Sequence, residues 1–146
     1  MKFACIFENQ LYSFHYDEYN ENEYDRNLNQ WSNTAYLYEF AKENNIQDIV
    51  AFLDEIYYNL EELEDLINEI AETDGQFKRI FIPLEHSETN KTISLRKGKI
   101  NHNILRLYAV KLIDELFIIT GGAIKMSQRM LDHPGTAKEL SKLSAA

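Results

Sequence analysis

The sequence predicts an α+β fold in which a small antiparallel sheet packs against one long amphipathic acidic helix. Apolar and polar residues alternate near both ends of the chain, and a helical apolar period runs through its middle. The chain has 146 residues, of which 45% are hydrophobic and 27% are charged, and this suits one core of ordinary size. We therefore expect residues 1–146 to form a single domain.

The first predicted element is a β-hairpin at the N-terminus. Lys2–Glu8 and Leu11–Asp17 alternate apolar and polar residues on either side of the connection Asn9-Gln10. Residues 18–30 are polar, acidic and rich in asparagine, without a clear period. We interpret them as a loop or a frayed helix on the surface.

A short helix and a long helix are predicted next. Ser32 or Asn33 is suited to cap the short helix, and Asn44-Asn45 ends it. The long helix runs from about Ile46 to Thr73 and has a seam of apolar residues at alternating steps of four and three. Burying each such side chain contributes roughly 1.5–3 kcal/mol, so the seam must pack against the sheet or a partner. The opposite face is acidic: Asp54, Glu55, Glu61, Glu62, Glu64, Asp65, Glu69 and Glu72.

The remaining strands are predicted in the second half of the chain. Phe77–Leu84 is predicted to be a strand or an extended segment, and Pro83 restricts it to an edge or an end of the sheet. Thr92–Leu95 is suited to a short strand. Ile104–Lys125 contains two apolar strands around a polar turn at Ile113-Asp114-Glu115, and we expect this hairpin at the centre of the sheet.

Charge is divided unevenly along the chain. Residues 1–77 hold 18 Asp and Glu against 3 Lys and Arg, a net charge of −15. Residues 78–146 hold 6 against 12, a net charge of +6. Such a division indicates a portion that binds polyanions beside an acidic portion. An equally good interpretation is an acidic helix and a basic sheet that neutralise each other within one fold.

The sequence lacks the motifs of several enzyme classes. It has one cysteine, Cys5, which excludes an intrachain disulfide and a cysteine-rich zinc site. It contains no Walker phosphate loop, HExxH or GxSxG motif, so we predict no metal and no cofactor. Gly121-Gly122 indicates a strand-end turn or bulge, with contact to a phosphate as the alternative. Apolar runs are too short for a bilayer and no signal peptide is evident, so we expect a cytoplasmic protein without membrane contact.

Cations and a tyrosine cluster around the last two predicted strands. Arg106 and Tyr108 share a face because side chains alternate along a strand. Lys125 and Arg129 share a face if their segment is helical. Such a surface suits RNA, because arginine binds phosphate and aromatic rings stack on bases. The basic loop before the strand adds candidate nucleic-acid contacts: Arg96, Lys97, Lys99 and His102.

Three short segments carry a family resemblance: Phe81–Leu84, Leu105–Tyr108 and Phe117–Met130. Together they resemble the C-terminal half of RelE/ParE-superfamily toxins, in the HigB-like branch, over residues 77–143. Lys125 matches the first lysine of a family Lys-Lys-Thr-Gln motif, and Met126 replaces the second. The first half departs from the toxin pattern, and the whole chain is similar to a small bacterial family from Bacteroidetes.

The resemblance implies a toxin of a type II toxin–antitoxin system that cleaves messenger RNA on the ribosome without a metal. Arg106 and Lys125 are the implied stabilisers of charge on the phosphate. Tyr108, His102 and His133 are candidates for proton transfer. The implied partners are the ribosome with its mRNA and an antitoxin protein.

Two other hypotheses remain open from the sequence. One is a non-catalytic binding or assembly protein on a toxin-like scaffold, whose apolar helical seam serves a partner helix or a homodimer. The other is an acidic nucleic-acid mimic that acts through the glutamate-rich helix.

Overall fold

A six-stranded sheet and three α-helices make up the fold, which the computed structural model describes for residues 1–83, 93–95, 103–112 and 116–125. The strands follow one another in the sheet as β1-β2-β6-β5-β4-β3, so the fold is α+β. The elements are β1 (Lys2–Phe7), β2 (Leu11–His15), α1 (Glu23–Trp31), α2 (Thr34–Glu43), α3 (Ile49–Glu72), β3 (Phe81–Pro83), β4 (Ile93–Leu95), β5 (Leu105–Lys111) and β6 (Phe117–Ile124).

The sheet is mixed, and the prediction of an antiparallel sheet was wrong in this respect. β2 runs parallel to β6, with Leu11 beside Phe117, whereas the other neighbouring strands are antiparallel. Parallel neighbours need a long crossover connection, and here three helices and three strands lie between β2 and β6 in the chain. Local alternation predicts a strand but carries no information about so distant a partner.

β1 and β2 form the predicted N-terminal hairpin. The turn is closed by a hydrogen bond of 3.0 Å from the N–H of Gln10 to the carbonyl of Phe7. Asn9 has a φ of 63°, a left-handed conformation that asparagine tolerates better than most residues. The connection between the strands therefore has three residues, Glu8 to Gln10, instead of the predicted two.

α1 overturns the interpretation of residues 18–30 as a loop or a frayed surface helix. Its buried side chains are Glu23, Asn27 and Trp31, which are four residues apart and therefore lie on one face. Two of these three buried residues are polar, and the sequence interpretation missed the helical spacing of Tyr24, Leu28 and Trp31 among them. Each polar group is satisfied locally: Arg26 pairs with the Glu23 carboxylate at 2.6 Å, and Asn27 Nδ2 donates to the Glu23 carbonyl at 2.7 Å.

Asparagine and aspartate set the limits of the next two helices. Asn33 caps α2, because its side-chain oxygen accepts from the N–H of Tyr36 at 3.0 Å. Asn45, with a φ of 57°, turns the chain away after α2. Asp48 caps α3 by accepting from the N–H of Ala51 at 3.0 Å.

The apolar face of α3 is covered by the rest of the same chain. Ile56, Leu63 and Ile67 are completely buried and belong to one core with Leu105 and Leu107 of β5. The middle of the apolar seam is therefore covered by this chain, whereas Ile49 and Leu53 at its start are only partly buried, and the homodimer or partner helix stays a hypothesis. None of the helices that the structure describes is long and apolar enough to cross a membrane.

β5 and β6 lie at the centre of the sheet and pair antiparallel, from Leu105 beside Ile124 to Lys111 beside Phe117. The predicted turn at residues 113–115 lies outside the described residues. β3 lies at the sheet edge, as Pro83 predicted, and β4 confirms the short strand expected within residues 92–95.

Candidate functional site

The central strand β5 places Arg106 and Tyr108 on the sheet face that points away from the helices. Leu105, Leu107 and Ala109 are fully buried in the core, so the residues between them project to the opposite face. The helical layer lies on the Leu107 side. Its α1 approaches Gly122, the cross-strand partner of Leu107, so closely that a Cβ there would meet the Asn27 side chain at 3.0 Å.

Lys125 reaches the same region from the end of β6. Its N–H donates to the carbonyl of Ile104 at 2.6 Å, so the antiparallel pairing continues one step beyond the strand. Ala123 is the cross-strand partner of Arg106, and Lys125 follows Ala123 by two residues. Diagonal neighbours of this kind are about 7–8 Å apart, and the alternation puts Lys125 on the face of Arg106. The register therefore brings the three predicted catalytic residues together.

The guanidinium of Arg106 is held by the backbone at the start of β5. Its Nη1 donates to the carbonyls of Asn103 at 2.5 Å and Leu105 at 2.9 Å. Burial lowers the pKa of Arg106 below its ordinary value, and the neighbouring Tyr108 opposes that shift. Arginine nevertheless remains protonated in proteins. The site thus contains a positioned, partly buried positive charge.

Tyr108 is nearly enclosed, with 5% of its surface exposed. Its carbonyl accepts from Thr120 Oγ1 at 3.3 Å, where Thr120 is the extra residue of a β-bulge between the pairs Tyr108–Gly121 and Ala109–Ile119. The predicted bulge is therefore present, and it lies next to Gly121. Gly121 and Gly122 are inside β6, so the interpretation as a strand-end turn is wrong, and the alternative of contact with a phosphate stays a prediction.

A pair of asparagines supports Arg106, and the sequence interpretation missed it. Asn103 accepts from the N–H of Leu105 at 2.8 Å and donates to the carbonyl of Asn59 in α3 at 2.7 Å. Asn59 Oδ1 in turn accepts from the N–H of Ile104 at 2.7 Å. The available signal was Asn59 itself, because this polar residue interrupts the buried face of α3.

The predicted nucleic-acid contacts cannot be placed beside this site. Arg96, Lys97, Lys99, His102 and Arg129 all lie outside the described residues, as does His133. In the described ranges, no group of three His, Cys, Asp or Glu residues is arranged to hold a metal ion. α3, which carries eight acidic residues, packs against the other face of the sheet, and its Glu62 Oε1 accepts from Asn103 Nδ2 at 3.3 Å.

Comparison with known proteins adds no family assignment, because no family model, curated protein or solved structure matches this chain.

Proposed function

We propose that this chain is an RNA-directed, toxin-like protein with Arg106, Tyr108 and Lys125 at its site. We further propose that β5 and β6 are a RelE/ParE-like hairpin and that the reaction is cleavage of mRNA on the ribosome. One observation carries the proposal: strand alternation and the β5–β6 register bring these three residues to one face of the sheet. The acidic α3 packs against the opposite face of the sheet.

The proposed reaction needs positive charge and proton transfer but no metal. The ribose 2′-hydroxyl attacks the adjacent phosphorus, the bond to the 5′ oxygen breaks, and a 2′,3′-cyclic phosphate remains. Arg106 and Lys125 stabilise the charge that develops on the phosphate oxygens. Of the three candidates for proton transfer, Tyr108 is the one that the structure describes, and its hydroxyl is suited to this role. The proposed partners are the ribosome with its mRNA and an antitoxin protein, in the cytoplasm.

The test is expression of the wild type, Arg106→Ala and Lys125→Ala, with growth and cleavage of translated mRNA as readouts. We expect each substitution to lower the cleavage rate by about 100-fold, the usual loss when one charge-stabilising donor is removed. Lys111→Ala is the matched control, because Lys111 is an exposed cation of β5 whose register position falls on the helix side of the sheet. We expect this control to retain wild-type activity.

Two results would contradict the proposal: a wild type that neither slows growth nor cleaves message, or a Lys111→Ala loss as large as that of Arg106→Ala. Trp31, the single tryptophan, is 2% exposed, so its fluorescence verifies that each variant is folded.

A second candidate is a non-catalytic binding or assembly protein on the same scaffold. The observation that favours it is that Arg106 bonds to two backbone carbonyls and Tyr108 is 5% exposed, so both residues already have structural roles. This candidate predicts no cleavage by the wild type and a lower melting temperature for Arg106→Ala.

A further inference from the structure

A surface groove of about 610 Å³ lies where the connection between α2 and α3 meets the first turns of α3. Ile46, Ala51 and Phe52 give the groove a largely apolar lining, and Asp48 and Glu55 add two carboxylates. We call it the α3 groove. It lies in the helical layer and is independent of the function proposed for the Arg106 face.

The walls of the α3 groove are held in place by local structure. Asn45 takes its left-handed conformation at the end of α2, and Asp48 caps α3 through the N–H of Ala51. Phe52 stacks on Phe40 with ring centroids 5.9 Å apart and an angle of 8° between the rings. Because these contacts exist without a ligand, binding requires little further ordering of the groove.

The electrostatic surroundings of the α3 groove are strongly acidic. α3 contains eight Asp and Glu residues and no Lys or Arg. Lys42, in the last turn of α2, contacts an aromatic ring, because its Nζ lies 5.3 Å from the centre of the Tyr38 ring. The groove also belongs to residues 1–77, whose net charge is −15. A surface of this sign attracts cationic partners and repels polyanions.

The two groove carboxylates have a spacing that a basic segment can match. Asp48, the N-cap of α3, and Glu55 both line the groove, and seven residues of helix correspond to a rise of about 10.5 Å along the helix axis. Ala51 lies between them and is exposed, and its small side chain leaves room above Phe52. Lysine and arginine place their apolar stems on such a surface while their charged ends reach carboxylates.

We propose that the α3 groove docks a basic segment of a partner protein. An aliphatic or aromatic side chain of the segment contacts Ala51 and Phe52, and a Lys or Arg on each side pairs with Asp48 and Glu55. The occupant follows from charge complementarity together with the apolar floor. An acidic or purely apolar segment would leave the two carboxylates without compensation as they lose water.

The test is selection of peptides from a displayed random library on the intact wild-type protein. We expect the enriched peptides to contain two basic residues about 10 Å apart with an apolar residue between them. Ala51→Arg fills the groove and adds a positive charge, and it should weaken binding of these peptides at least about tenfold. Asn68→Arg is the matched control, because it makes the same charge change at an exposed position of α3 outside the groove, and it should leave Kd nearly unchanged.

A second variant tests the proposal independently in case Ala51→Arg does not fold. Glu55→Gln removes one groove carboxylate without adding volume, and it should weaken binding a few-fold and reduce its dependence on salt. The proposal is overturned if no peptide is enriched, if the enriched peptides lack basic residues, or if Ala51→Arg and Glu55→Gln both bind as well as Asn68→Arg. Trp31 fluorescence verifies folding in every case.

Discussion

Polar side chains occupy several interior positions of this protein. Glu23, Asn27, Asn59 and Asn103 are each at most 5% exposed. Within the described part of the chain, no buried side-chain nitrogen or oxygen lacks a hydrogen-bond partner. Burial without a partner would cost about 1–3 kcal/mol for each group. These residues therefore specify contacts between elements instead of simply filling space.

Glu64 on α3 is the carboxyl for which we predict a pH effect on stability. Burial raises its pKa above the ordinary 4.5, and the charge of Asp65 raises it further. The folded protein therefore binds this proton more tightly than the unfolded chain does, so stability falls as pH rises from 4.5 through the raised pKa. Glu64→Gln removes this effect. We expect a higher melting temperature than that of the wild type at about pH 7 and no difference at about pH 3.5.

The control for Glu64 is Glu61→Gln, an exposed carboxyl one turn earlier in α3. Its melting temperature should stay close to that of the wild type at both pH values. Equal behaviour of the two variants at neutral pH would contradict the burial argument. Glu64 also contributes to the raised pKa of Tyr24, after the larger effect of burial, so the two groups are electrostatically linked.

At the scale of elements, α1 packs directly on β6. All eight residues of β6 are buried, and Gly122 lies directly below α1. A Cβ at Gly122 would be 2.8 Å from the Arg106 carbonyl oxygen and 3.0 Å from the Asn27 side chain. The glycine therefore allows the helix and the neighbouring strand to approach β6 together.

Gly122→Ala should destabilise the protein by about 1–3 kcal/mol, because the added methyl group overpacks this contact. Urea denaturation followed by Trp31 fluorescence measures the change. The double variant with Asn27→Ala should recover only part of the loss, since the Arg106 carbonyl belongs to the backbone and cannot withdraw. Full recovery in the double variant would show that the side chain of Asn27 alone sets the constraint.

At the scale of the whole molecule, an asparagine pair ties the helical layer to the sheet. Asn103, before β5, donates to the carbonyl of Asn59 in α3, 44 residues away in the chain, and Asn59 Oδ1 accepts from the N–H of Ile104. The same segment carries the carbonyl that holds Arg106. Stability of the whole fold and geometry of the candidate site are therefore coupled through one contact.

Asn103→Ala should lower the free energy of unfolding by about 1–3 kcal/mol, because it leaves the N–H of Leu105 without its acceptor and removes the hydrogen bond to α3. The measurement is the midpoint of urea denaturation. Asn68→Ala, an exposed asparagine of α3, is the control and should change stability by less than about 0.5 kcal/mol. A loss no larger than that of the control would mean that the asparagine pair contributes nothing to the fold.

Local sequence patterns predicted the strongly periodic segments of this chain. The alternation at the N-terminus predicted the hairpin of β1 and β2, and Pro83 predicted an edge position for β3. α1 escaped prediction because the buried polar residues Glu23 and Asn27 obscure the helical spacing of its apolar residues. For the candidate site, period two alone placed Arg106 and Tyr108 on one face, whereas Lys125 needed the β5–β6 register.

The sequence by itself determined where most strands and helices form, because the backbone periods of 2 and 3.6 residues are local properties that side-chain pattern must match. Only the tertiary structure decided that β2 runs parallel to β6, that Gly122 lies under α1, and that Arg106 is held by backbone carbonyls. Each of these depends on contacts between distant segments. Such contacts are chosen by packing and hydrogen bonding over the whole chain, and no local pattern encodes them.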